Sequence, residues 1–307
     1  MKYQRSIVIP MGEILIISER PEFLLQTVIG NNNYSELLTS DKFTIITTDD
    51  DQFFNENQAT YREEMIYKGI YLGHHIGPPL KVSISETEMR ICIKDIDVVV
   101  YNKFFWNFVF KYILTVMSLK HRSLHVKGTT LIRNNKAYLL VGRGKAGKTT
   151  LAHSLQTKGF TCTGNTHAII RDNHIWSLNT WVRSRDQVGI ESYFLNESSI
   201  VQDAYFENII VVDHNRDGKL ITRILDADTA KAFVTNFCAA VGNYDLKEDV
   251  VDYRKQVSFE ETYRYIISEQ KLVDELISKQ LIYLSADVSN AGCLNQVYDF
   301  FEQSTII

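Results

Sequence analysis

Proline is scarce in this chain: there are four in 307 residues, all within the first 79, and the remainder carries no low-complexity linker or internal repeat. Cysteine is scarce too. Cys92, Cys162, Cys238 and Cys293 lie far apart, with no C-x-x-C pair and no histidine at metal-ligand spacing, which argues against a cysteine-held metal module and for reduced, partly buried thiols in a cytoplasmic protein. An excess of charge is missing as well. With 33 basic against 37 acidic residues and no long basic run, a polyanion such as DNA is disfavoured, and no nucleic-acid partner is expected. Long apolar runs are also absent. Ile7–Pro10 and Ile14–Ile17 are interrupted by Pro10, Gly12 and Glu13 before a signal-peptide core can form, and they read as two strands around a turn. Phe104–Leu119 falls short of the roughly 20 residues a membrane span needs. With Asn107, Lys111, Thr115 and Ser118 along one helical face it reads as a mostly buried core helix, and no membrane partner is expected.

What is present is one complete motif. Gly142, Arg143, Gly144, Lys145, Ala146, Gly147, Lys148 and Thr149 fill the phosphate-loop pattern G-x-x-x-x-G-K-[ST]. An apolar strand pattern, Ala137–Val141, precedes it, and a helical pattern with Leu151, Ala152 and Leu155 on one face continues from Thr149 and Thr150. The glycines let successive N–H groups turn inward, and the helix N-terminus adds partial positive charge, a combination suited to a triphosphate. Lys148 is placed to reach the β- and γ-phosphates, and the Thr149 hydroxyl to hold Mg2+, so ATP and magnesium are the expected cofactors.

Around the motif the chain divides into a strand-rich region, residues 1–100, and a P-loop domain, residues 101–307, within one α/β protein. Phe43–Thr47, Leu80–Ile84, Arg90–Lys94 and Asp97–Tyr101 read as strands of the first region. Asp49–Asp51 and His74–His75 read as loops rather than cation sites. In the second region Leu124–Ile132, the turn Arg133–Lys136 and the strand into the loop form a β-hairpin, whereas ordinary P-loop proteins reach the loop through a parallel crossover. Gly159 is the expected C-cap of the loop helix. Strands are expected at Phe160–Thr163, Ala168–Ile170, Ile175–Leu178, Asn208–Val212 and Leu281–Leu284, and helices near 229–240, 258–280 and 293–303. His214–Gly218 reads as a hairpin turn.

From Leu124–His125 through Gly142–Thr150 to Lys158–Gly159–Phe160, and again in the terminal strand–helix pair, the chain resembles the HPr kinase/phosphorylase family and the related kinases of peptide biosynthetic clusters. These share the fold of phosphoenolpyruvate carboxykinases. The resemblance implies an HPr-kinase-like core with a mixed sheet, ATP and Mg2+ on the loop, His125 near the active site, and two aspartates after the strand that succeeds the loop helix. The first of these would be the base toward an acceptor hydroxyl. Here those two positions are Asn165 and Thr166, neither of which takes up a proton near neutral pH. His167 is then a candidate base. Alternatively the acceptor is already a nucleophile, or the protein binds nucleotide without transferring phosphate.

Asp213 ends the apolar strand pattern Asn208–Val212, the position of a magnesium-holding aspartate. A second cation near the γ-phosphate is to be sought among Arg143, Lys145, Arg171, Arg183 and Arg185, while Trp176 and Trp181 read as core residues. The sequence therefore predicts a kinase moving the γ-phosphate of ATP to a peptide or small-molecule acceptor, with Lys148, Asn165, His125 and His167 at the reacting centre. A regulatory nucleotide-binding module and a nucleotide-hydrolysing switch are its rivals. A homo-oligomer is compatible with either.

Overall fold

The computed structural model describes residues 2–25, 27, 29–52, 82–84, 87–180, 182–185, 190–193, 200–235, 259–279 and 281–304. His74, His75, Trp181 and Cys238 lie outside them. Two compact units emerge: Met1–Ile29, Leu37–Arg122 and Ala240–Gln270 form one, and Gly30–Glu36, Ser123–Ala239 and Lys271–Ile307 the other. The division expected at residue 100 lies inside the first unit.

In the first unit β1 (Tyr3–Ile9) turns at Pro10–Met11 into antiparallel β2 (Gly12–Ser18). Helix α1 (Pro21–Leu25) comes next. β3 (Asp41–Thr48) runs parallel to β2, and a short pair, β4 (Val82–Ile84) and β5 (Glu88–Cys92), completes the order β1-β2-β3-β5-β4. Asp97–Tyr101 is not the expected strand. Asp97 caps helix α2 (Val98–Phe104), its Oδ1 accepting from Val99 N at 2.7 Å and Val100 N at 3.3 Å. The cap, with burial of Tyr101 against Phe23 at 4.9 Å between ring centroids, overrides the β preference of three successive valines. The helix continues through a π-helical stretch, Phe105–Val109, into α3 (Phe110–Lys120). Its Thr115 and Ser118 are buried, and Ser118 Oγ donates back to Leu114 O, so that hydroxyl of the expected polar stripe is satisfied within the helix.

The second unit starts with β6 (Leu124–Lys127), β7 (Thr129–Arg133) and β8 (Lys136–Val141). β7 and β8 form the expected hairpin, its turn made by Asn134 and Asn135 at φ 50° and 60°. Helix α4 (Lys148–Gln156) succeeds the loop, and Gly159 at φ 84° closes it. Then come β9 (Thr161–Gly164), β10 (His167–Arg171), β11 (His174–Ser177), the separate pair β12 (Val182–Arg185) and β13 (Ile190–Tyr193), β14 (Asp203–His214) and β15 (Ile221–Ile224). Helix α5 (Ala227–Phe233), the part of helix α6 (Phe259–Ile277) from Lys271 onward, strand β16 (Leu281–Ala286) and helix α7 (Ala291–Ser304) complete this unit.

The main sheet runs β6-β10-β11-β14-β8-β7-β9, with β16 and β15 branching from β14. Its two ends are one ladder. Ala168 lies opposite Val126 and Gly164 opposite Thr130, and between them Gly128 N donates to Thr166 O, so register is kept across the break and the sheet closes on itself. Leu131, Tyr138, Leu140, Ile210 and Val212 pack under α4 and α7, while Leu124, Val126, Ala168, Leu139 and Val211 form a core with α5 and α6 on the other face. The segment Gly30–Glu36 is bound along this unit, with Asn33 N on Gln202 Oε1 and Ser35 on buried Asp203. His214–Gly218 does not make a hairpin. β16 takes the edge of β14 in parallel and β15 pairs with β16, so the connection crosses one strand. Among the described residues no helix is long and apolar enough to cross a membrane.

Candidate functional site

β8, β14 and β16 are mutually parallel, and their C-terminal ends lie side by side. They deliver the glycine loop, Asp213 and Asp287 to one end of the sheet, beyond the carboxyl ends of parallel strands. Gly142 leaves β8 at φ 143°, and a Cβ there would sit 2.4 Å from Val212 O, so no other residue fits between the two strands. Lys145 and Gly147 also have positive φ, 68° and 89°. Gly147 is the N-cap of α4; no side chain caps the helix, and Val288 packs within 3.1 Å of where a Cβ would stand. Arg143, Gly144 and Lys145 are exposed, and Ala146 is buried beneath them. Lys148 Nζ donates to Gly142 O and Arg143 O, each at 2.8 Å, which folds the ammonium over the loop.

Thr149 points the other way along the helix start. Its hydroxyl and that of Thr129 both donate to Asn165 Oδ1, at 3.3 and 3.1 Å, while Thr150 is exposed. Asn165, Thr129 and Thr149 therefore meet at one point beside the loop. Next to them along the ladder, His125 Nε2 and His167 Nδ1 are 2.9 Å apart, and the two residues are only 3% and 4% exposed. One nitrogen donates and the other accepts, so each ring fixes the tautomer of its partner. Leu124, Val126, Ala168 and Ile170 face the α5–α6 core, so His125, Lys127 and His167 occupy the opposite face, which is also the face Thr129 shares with Leu131 under α4.

Asp213 is reached from two sides. Arg143 Nη2 is 3.6 Å from Oδ1, and the Tyr283 hydroxyl donates to Oδ2 at 3.0 Å. Burial, then the hydrogen bond to Asp213, raises the Tyr283 phenol above its ordinary range, so it remains a donor at neutral pH. Asp287 is held below the ordinary carboxylate range by hydrogen bonds from the Ser289 hydroxyl and N–H, and is charged.

The structure thus gathers the loop, Asn165, the histidine pair and Asp213. It does not bring Arg171 to them: that residue lies at the β10–β11 turn beside Asp172, next to a cavity of about 270 Å³ lined also by Leu272, Leu276 and Lys279, none of them in the loop. Trp176 is buried with Nε1 donating to Glu36 O, a core role as expected. Arg183 and Arg185 lie on β12, and their side chains are outside the described residues. Sequence reasoning missed Thr129, Lys127, Tyr283 and Asp287. Lys127 was within reach, since it alternates with His125 on a four-residue strand pattern. No group of three histidine, cysteine or carboxylate ligands is present among the described residues. No family model and no curated protein matches this chain.

Proposed function

We propose that this protein is an ATP-dependent phosphotransferase with an HPr-kinase-like core, carrying the γ-phosphate to a peptide or small-molecule acceptor. The observation that supports it is the loop itself: a strand–loop–helix unit with Gly142 and Gly147 at positive φ, Lys148 folded across it, and Asp213 ending the neighbouring parallel strand. The loop N–H groups and Lys148 hold the phosphates. Thr149 and Asp213, two oxygen donors, suit magnesium, which takes few protein ligands and keeps water and phosphate oxygens. Magnesium held there would supply positive charge toward the phosphates. Arg143 lies on Asp213 at the mouth of the loop, close enough to contribute a second cation.

A second reading has its own observation. Asn165 stands where the resemblance implies a base, and two threonine hydroxyls occupy its carbonyl oxygen, which suits a nucleotide sensor that transfers nothing. Incubation with γ-labelled ATP, Mg2+ and fractionated small molecules and peptides separates the two. Label appearing in an acceptor supports the kinase; ATP binding with no transfer to any fraction supports the sensor.

A further inference from the structure

We propose that Asn165 reads the terminal phosphate: its side-chain Nδ2 donates to a γ-phosphate oxygen, so that this one residue distinguishes ATP from ADP. This rests on the nucleotide reading above. Thr149 and Thr129 each carry a single hydroxyl proton, and both protons go to Asn165 Oδ1, at 3.3 and 3.1 Å. Neither hydroxyl is then left to donate to a phosphate. The same two bonds fix which way round the amide sits, because Oδ1 faces the threonines and Nδ2, about 2.2 Å from it across the amide, faces away. Asn165 is half-buried, and among the described residues no group accepts from Nδ2. That nitrogen is not enclosed, so two oriented N–H donors stand open within about 5.5 Å of the Thr149 hydroxyl. A neutral donor pair of this kind suits an anion.

The turn that carries Asn165 is held on both sides. Thr163 O accepts from buried Gln202 Nε2 at 3.0 Å, and Thr166 O accepts from Gly128 N at 3.3 Å, so the amide is positioned before any ligand arrives. The groups of the glycine loop do not discriminate in this way. Its backbone N–H groups cradle the phosphates nearer the nucleoside, and its lysine reaches the β-phosphate as well as the γ-phosphate, so ADP satisfies most of them. Asn165 comes instead from the turn between β9 and β10, and it meets the loop at Thr149, the residue after that lysine. A carboxylate in its place would accept from both threonines but would have no proton to give a phosphate.

The test titrates the full chain, in Mg2+, with ADP and with the non-hydrolysable ATP analogue adenylyl imidodiphosphate, by calorimetry. Wild type should bind the analogue more tightly than ADP. Asn165→Ala should weaken the analogue about ten- to a hundredfold, the loss of one hydrogen bond to a charged group, and ADP by less than about threefold, so that the preference collapses. Asn165→Asp keeps both threonine bonds but has no N–H to offer, and it should lose the preference as well; it keeps the proposal open to refutation if the alanine variant melts early. Equal losses for the two nucleotides in Asn165→Ala would assign the amide to holding Thr149 in place, and an unchanged preference in either variant would leave the γ-phosphate to other donors. Each of these overturns the proposal. Failure of wild type to bind either nucleotide would instead overturn the nucleotide reading, a separate result.

Discussion

Replacing Lys148 by alanine should separate nucleotides by the length of their phosphate chain. The ammonium now rests on two loop carbonyls at 2.8 Å, and a nucleotide offers it β- and γ-phosphate oxygens in exchange. A hydrogen bond to a charged group contributes about 1.5–3 kcal/mol net, so Lys148→Ala should weaken ATP about ten- to a hundredfold. AMP, which ends before the lysine's reach, should bind as before. Folding should be little affected, because Gly142 O and Arg143 O lie in a partly exposed loop where water replaces the ammonium; a surface change of this kind stays within about 0.5 kcal/mol. Calorimetric titration with ATP, ADP and AMP, beside a thermal melt, reads each quantity. Unchanged ATP affinity would mean the loop is not the site, and an equal loss for AMP would mean the variant had damaged the loop rather than removed a phosphate contact.

Thr149→Val removes the proposed metal oxygen and one donor to Asn165, so nucleotide affinity should lose its dependence on magnesium; an unaltered Mg2+ titration refutes that assignment. Gly142→Ala places a Cβ 2.4 Å from Val212 O at positive φ and should cost about 3 kcal/mol in denaturant unfolding, since strain alone accounts for about 1–3 kcal/mol; an unshifted midpoint would contradict the close approach of β8 and β14. Asn165→Asp should fold, because Thr129 and Thr149 donate equally well to a carboxylate, but should bind ATP more weakly by adding negative charge; unchanged or tighter ATP binding would refute the charge argument. Asp41 is held below its ordinary range by hydrogen bonds from Lys120 and then His121, so its contribution is present above the unfolded carboxylate value and is lost as pH falls through the lower folded one. For this partly exposed pair the effect is below about 1 kcal/mol, and Asp41→Asn should flatten the acid limb of the stability curve; an unchanged limb counts against it.

The loop and its hairpin were legible because each rests on local chemistry. Asn134 and Asn135 accept the positive φ that a two-residue turn demands, and glycine falls at two of the three loop positions that need it. Asp97–Tyr101 misled for the opposite reason. Three valines carry a β signal, but an aspartate cap and the burial of Tyr101 are decided by what the segment packs against. The crossing after Asp213 was hidden as well, because the strand inserted beside β14 comes from residues 281–286, far along the chain. Pairing of β6 with β10 is equally remote, and it alone brings His125 and His167, 42 residues apart, into contact.

That long-range pairing also gives a physical account of the asparagine. Asp213 and Asp287 already place two carboxylates at the ends of adjacent strands, one partly offset by Arg143 and the other charged and held by Ser289. A third at position 165, joined to Thr149 through its hydroxyl, would stand against the triphosphate of the proposed function. Like charges at about 4 Å repel by about 4 kcal/mol in surroundings of intermediate polarity, comparable with what Lys148 contributes. An amide keeps both threonine bonds and adds no charge. If the proposed phosphotransfer holds, position 165 offers no carboxylate to deprotonate an alcohol. The pH profile of transfer should therefore track the ionisation of the acceptor and not that of the buried histidines. A rate that rises instead through the histidine range, and falls about a hundredfold in His167→Ala with ATP affinity unchanged, would return the base to the protein.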